Sequence, residues 1–330
     1  MEEDMDALFN FSFISDNLTF LINSTYDFYS PNVSTIALIP FIIVCLVGLL
    51  GNVLVLSIIL WSKKMWRTMN VFVFCLALGD LLYMLCLLIL VIELMSPLGT
   101  FLCILYWILT ALTTFSNVYF LAIMSISVFL QMYFPALSKK LCIKVAALTS
   151  LGIWITSLLL AIPFFIYANV DEYSNCMIHW PDSIWNIIFT SYRFALAFLA
   201  PLILITVFLI LTQRRVQRQD QTMDSTVTIV KEDMVMIMVL SLIFIIFWLP
   251  THVLEIMSGL TSDGQFSDGS YYAISIVPYL KSCVYPFVYG FLSRGFKHWY
   301  NRIFCCKKVH EGDDPPKNSN ERQEDKSTPC

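Results

Sequence analysis

The stretch IALIPFIIVCLVGLLGNVLVLSIILW, Ile36–Trp61, holds no charged residue from end to end. A helix needs about 20 predominantly apolar residues to cross a bilayer, and this run meets that length. Six further runs of the same kind follow, at about Met69 to Leu94, Phe101 to Phe134, Val145 to Tyr167, Ile184 to Leu211, Asp233 to Gly259 and Tyr271 to Leu292. The whole chain is 58% hydrophobic and only 13% charged, with a mean hydropathy of +0.73, which excludes an ordinary soluble domain. Lipid offers no partner to a free backbone N–H or C=O, so each run is predicted to be helical. A β-barrel would show alternating segments of about ten residues, and none is present. The expected fold class is an all-α membrane protein. A seven-transmembrane helix bundle spans 36–294, after an extracellular segment over 1–35. A short amphipathic helix on the inner leaflet, 295–306, and a disordered cytoplasmic tail, 307–330, complete the chain.

Cations set the orientation. With the N-terminus outside, the inner loops and tail hold 18 of the 20 Lys and Arg, and the outer segments hold none. This predicts a multi-pass protein of the plasma membrane with its C-terminus in the cytoplasm. Four glycosylation sequons, at Asn10, Asn17, Asn23 and Asn32, lie on the side read as extracellular. Met1-Glu2-Glu3-Asp4 lacks the positive start of a cleavable signal, so the first span is expected to serve as its own insertion signal.

Of ten cysteines, only Cys103 and Cys176 fall outside both the cytoplasm and the middle of a span. That compartment is oxidising, so a disulfide is expected, with two free thiols as the alternative. Such a bridge would stabilise by about 4 kcal/mol on the chain-entropy argument. Phe296, Trp299, Tyr300, Ile303 and Phe304, mixed with Lys297 and Arg302, predict a helix lying on the membrane surface. Cys305 and Cys306 then stand where palmitoylation occurs, or remain unmodified in a cationic tail. From Glu311 the tail is polar and expected to be disordered.

A set of motifs stands in order along these runs: Gly51-Asn52, Leu76-Ala77-Leu78-Gly79-Asp80, Cys103, Trp154, Pro201, Phe247-Trp248-Leu249-Pro250, and Pro286 with Tyr289. Together they resemble the rhodopsin-like family of G-protein-coupled receptors, from about Ile39 to Cys306. Tyr289-Gly290-Phe291-Leu292-Ser293, Phe296-Lys297, Arg302-Ile303 and Ser282-Cys283 are similar to the somatostatin and opioid peptide branch. The resemblance implies an extracellular peptide ligand and a cytoplasmic partner, a heterotrimeric G protein or an arrestin. It excludes an opsin, because the retinal-bearing lysine of opsins would fall at Tyr279.

The family's second-span aspartate, here Asp80, lines a small sodium pocket. Lys281 is unusual beside it, since the family tends to carry Asn or Ser there. A lone buried ammonium is costly, so Lys281 is expected either to pair with Asp80 and fill the sodium site, with Asn117 and Ser282 as neighbours, or to reach a water pocket. The ligand pocket is expected to open outward between the third, fifth, sixth and seventh spans. Trp248, His252 and Glu255 share one face of the sixth helix, and Thr110 and Asn117 share one face of the third. Somatostatin and opioid receptors place a cation-binding aspartate where Thr110 stands, so that anchor is absent. Arg193 either binds a ligand carboxylate or pairs with Glu255. Tyr279 faces the pocket as a contact or as packing. Thirteen acids lie in the outer loops or near the outer helix ends, against no Lys or Arg in those loops, a field that attracts a basic peptide or merely solvates the surface.

The inner switch departs from the family. Ser127-Val128-Phe129 stands where Asp-Arg-Tyr is usual, Leu209 where the inner fifth span carries tyrosine, and Tyr285-Pro286 where Asn-Pro is usual, although Tyr289 is kept. Val128 has neither the donor nor the charge of the arginine that reaches a G protein. Pro135, Leu137, Arg214, Arg215 and Arg218 remain as grip for a partner. Two functions follow. One is a peptide-activated receptor with a rewired switch. The other is a scavenging or chemokine-like decoy that binds ligand without activating a G protein. No enzymatic, metal-binding or nucleic-acid-binding pattern is present, and no cofactor is expected.

Overall fold

The structure is a computed structural model that describes residues 35–138, 143–172, 176–219, 225–260 and 276–304. The four sequons, Cys305, Cys306 and the tail lie outside the described residues. Eight helices carry the architecture: α1 (Thr35–Trp61), α2 (Thr68–Met95), α3 (Thr100–Tyr133), α4 (Ile143–Leu160, continued by Ile162–Tyr167), α5 (Ser183–Phe194 and Ala200–Gln219), α6 (Ser225–Leu260), α7 (Val277–Leu292) and α8 (Arg294–Phe304). Among the described residues, six of these, α1 to α6, are long and apolar enough to cross a membrane. The start expected for α7, 271–275, lies outside the described residues, which leaves 16 residues of that helix in view.

Helix α3 is the central post. Its middle third is buried almost continuously from Ala111 to Val118, whereas α1 and α4 turn many large apolar side chains outward. That inverted pattern is what lipid permits, since an apolar face need not be hidden there. Small residues let the helices close up. A Cβ on Gly51 would lie 2.8 Å from Pro286 Cγ, and one on Gly48 would lie 2.4 Å from Met84 Sδ. Glycine at those two places allows α1 to approach α7 and α2.

Helices α5 and α6 run past the expected ends of their spans, to Gln219 and back to Ser225. The bilayer limits the apolar stretch, not the helix; once in water, a helix carrying Arg214, Arg215 and Arg218 continues with its backbone bonds intact. A π-helical turn, Ala195–Leu199, interrupts α5 just before Pro201. Proline has no N–H to give to the preceding turn, and a wider turn there re-aims the residues above it, Arg193 among them.

On the outer side, β1 (Ala168–Val170) and β2 (Cys176–Ile178) form an antiparallel hairpin with Asn169 opposite Met177. Cys176 is bonded to Cys103 at the top of α3. Glu93, near the end of α2, accepts from the Cys176 N–H at 3.2 Å and gives the hairpin a second anchor. On the inner side, the Tyr300 hydroxyl of α8 donates to the Pro286 carbonyl at 3.0 Å. Burial pushes that phenol up to about 12.

Candidate ligand pocket and inner switch

Two buried polar groups lie one above the other, with an aromatic layer between them. The deeper one is built on Asp80 of α2. Its Oδ1 accepts from Lys281 Nζ at 2.5 Å, Ser282 Oγ at 2.8 Å and Asn117 Nδ2 at 3.1 Å. Asp80, Lys281 and Ser282 are wholly buried. The Lys281 ammonium also lies 4.4 Å from the centre of the Tyr285 ring, which faces it with its negative π surface. Asn52 extends the group to α1 by donating to the carbonyls of Ser282 and Gly48, both at 2.9 Å. Asn117 reaches Asp80 because Gly79 leaves room: a Cβ there would stand 2.4 Å from Asn117 Oδ1. The other carboxylate oxygen, Oδ2, is buried without a hydrogen-bond partner, but a metal ion there would still stand close to the ammonium on Oδ1, so like-charge repulsion makes the donor set a poor fit for one. Among the described residues there is no cluster of three or more His, Cys, Asp or Glu able to hold a metal.

Above this group, Tyr279 stacks on Tyr83 with ring centres 4.2 Å apart, and Tyr83 stacks on Trp248 at 6.0 Å. Tyr279 is therefore buried against α2, with 1% of its surface exposed. The chain of rings continues through Trp248 to His252 at 5.7 Å and on to Phe198 at 5.0 Å.

The outer group follows. Arg193 Nη1 is 2.9 Å from Glu255 Oε1, joining α5 to α6, and His252 Nδ1 is 3.6 Å from the other carboxylate oxygen. The guanidinium also sits over Phe164, 5.7 Å from the ring centre. Trp248, His252 and Glu255 do share the inward face of α6. Thr110 of α3 keeps its side-chain oxygen buried.

At the inner end, Ser127 and Val128 are buried in the bundle. Phe129 stacks on Tyr133 at 4.6 Å and meets Phe208 edge-on at 5.1 Å. Tyr133 donates to the Leu211 carbonyl at 3.2 Å. Tyr285 donates to the Leu240 carbonyl at 3.0 Å, so α7 is tied to α6 where the family has asparagine. Tyr289 is fully buried beside it, 6.3 Å from the Tyr285 ring.

Sequence reasoning passed over Tyr83, Glu93, Arg67 and Asp233. The Arg67 guanidinium is 2.7 Å from Asp233 Oδ2. An acid at the inner edge of an apolar run is a signal that could have found this pair. Nothing local to residues 67 and 233 says that they meet.

The chain matches the sequence pattern described as "7 transmembrane receptor (rhodopsin family)" over residues 51–289. Somatostatin receptor type 5 of Rattus norvegicus is 30% identical over 299 residues, 86% of this chain and 82% of that protein. The type 5 receptor of Mus musculus is 31% identical over 304 residues, 88% of this chain and 84% of that protein. Somatostatin receptor type 2 of Mus musculus is 29% identical over 306 residues, with 88% and 83% covered.

Proposed function

The chain belongs to the rhodopsin family of seven-transmembrane receptors, and from that premise we propose that it is a cell-surface receptor for a basic peptide of the somatostatin-like kind, with its N-terminus outside the cell and an activation switch rewired at its inner end. The observation that carries the peptide reading is the similarity to somatostatin receptors, which runs through more than four-fifths of the chain. The acidic outer surface supports a cationic ligand, whose approach it would speed. Thr110, Arg193, Trp248, His252, Glu255 and Tyr279 are the proposed ligand-binding set. Because Arg193 already neutralises Glu255, the peptide's positive charge is met at the mouth, and the deeper contacts are aromatic and hydrogen-bonding.

The proposed switch comprises Asp80, Asn117, Lys281, Tyr285 and Tyr289 in the core and Ser127, Val128 and Phe129 at the inner end. In it the Lys281 ammonium takes the place of sodium. A second reading, a decoy that captures ligand without G-protein activation, is favoured by one observation: α3 offers no arginine at its inner end. Binding of a panel of basic peptides to intact cells tests the ligand class; no binding by any basic peptide refutes it. Nucleotide exchange on a panel of G proteins, with ligand uptake measured alongside, separates the two readings. Exchange supports the receptor, and uptake without exchange supports the decoy.

A further inference from the structure

Helix α6 carries two adjacent acids near its inner end, Glu232 and Asp233, and each is held by a cation that does not come from α3. Arg67, at the N-cap of α2, places Nη2 2.7 Å from Asp233 Oδ2. Arg294, the first residue of α8, pairs with Glu232. The two cations stand on one platform. The turn Lys63–Met65 between α1 and α2 packs on the start of α8, so closely that a Cβ on Gly295 would lie 2.9 Å from Met65 Sδ. Asn70 fixes that turn by donating to the Met65 carbonyl at 2.7 Å. Helix α3, by contrast, contains no Asp, Glu, Lys, Arg or His from Thr100 to Tyr133. It can pack against α6 but cannot hold it by charge.

We propose that Arg67 and Arg294 form a two-point charge clamp on Asp233 and Glu232 that keeps the inner end of α6 in its closed position. The lever is α6 itself. Pro250 breaks its backbone hydrogen bonding in the outer half, and a proline in a helix is where the two halves bend relative to one another. The inner half is then free to swing unless its end is held. The Asp233 side chain is 9% exposed, so pulling it from Arg67 strands a carboxylate in a place poor in water. The pair between Glu232 and Arg294 is more open and contributes less by itself. It supplies a second fixed point, so that α6 can neither tilt away nor rotate about the first. Both cations come from segments other than α3, so the restraint is independent of any that α3 supplies. The clamp is a property of the ligand-free chain and does not depend on which peptide binds or which G protein follows.

The test uses the full chain in lipid nanodiscs without ligand. Spin labels on noncanonical residues replace Ile229 of α6 and Ile143 of α4, both exposed, and the distance between them is read by double electron–electron resonance. Arg67→Gln and Arg294→Gln are each expected to add a second, displaced population, and together to make it dominant. The exchanged pair Arg67→Asp with Asp233→Arg is expected to return the distribution to that of the parent. Unchanged distances in the double glutamine variant overturn the proposal, as does an exchanged pair as displaced as Arg67→Gln alone. Should either arginine variant fail to reach the membrane, Asp233→Asn and Glu232→Gln, which remove the acids and keep both arginines, are read in its place. A displaced population in that double variant supports the clamp, and a constant distribution overturns it.

Discussion

Lys281 Nζ and Asp80 Oδ1 stand 2.5 Å apart, with both side chains cut off from solvent. Removing one partner of a buried ion pair leaves the other uncompensated, at a cost of about 3–5 kcal/mol, whereas removing both can be nearly neutral. Lys281→Met and Asp80→Asn are each expected to lower the Tm of the solubilised protein, and the double variant to recover most of the loss. A double variant as unstable as the sum of the singles would refute the coupling. The same arrangement predicts that ligand affinity is indifferent to replacing sodium by a large organic cation at constant ionic strength. A clear sodium dependence in a radioligand assay would contradict it.

Gly79 is the gap through which Asn117 reaches Asp80. A methyl group there would come within 2.4 Å of Asn117 Oδ1, closer than nonbonded atoms tolerate. Gly79→Ala is expected to push Asn117 off the carboxylate and cost about 1–3 kcal/mol, the usual range for overpacking. Thermal unfolding of Gly79→Ala alongside Asn117→Ala checks this. If the Asn117 contact is what glycine protects, adding Asn117→Ala to Gly79→Ala relieves the strain and raises Tm.

Arg193 and Glu255 join α5 to α6 at the outer end, 2.9 Å apart and mostly buried. A double-mutant cycle with Arg193→Gln and Glu255→Gln is expected to give a coupling of about 1–3 kcal/mol. If Arg193 instead served the ligand alone, the cycle measured on the ligand-free protein would give no coupling. The effect would then appear only in binding.

Restoring an arginine at the inner end should fail. Val128 is fully buried, and α3 offers no acid beside it. Val128→Arg places a charge where nothing pairs it, and lower surface expression is the expected result, read by flow cytometry. Ser127→Asp added to Val128→Arg is expected to recover part of that expression. Neither variant is expected to raise nucleotide exchange, because Leu209 supplies no hydroxyl for the arginine to rest on.

The helical spans could be read from the sequence because a bilayer imposes a length, and a run such as Ile36–Trp61 meets it without a single charge. Asp80 and Lys281 are legible for a related reason, since an ionisable group at that depth must find company. Other features could not be read. Pro201 marks a weak point in α5, but that it takes the form of a π turn at Ala195–Leu199 depends on how α5 seats against its neighbours. Arg67 and Asp233 meet across 166 positions only because the ends of α2 and α6 converge. In sequence Tyr83 is one more residue of an apolar run; only the fold stacks it on both Tyr279 and Trp248. Periodicity tells which face of a helix is buried, but not which helix it is buried against.

The ammonium beside Asp80 arrives on the backbone of α7, and its presence follows from folding, not from mass action with the surroundings. A diffusing ion gives up translational freedom on entering such a pocket and regains it on leaving. A side chain already ordered by the fold has no such gain to collect. Any shift of α7 against α2 must therefore pull opposite charges apart in a dry interior, with no solvated species released to offset the separation. The two helices are expected to travel as one body, and the places where this receptor can change shape are confined to the boundaries around that pair.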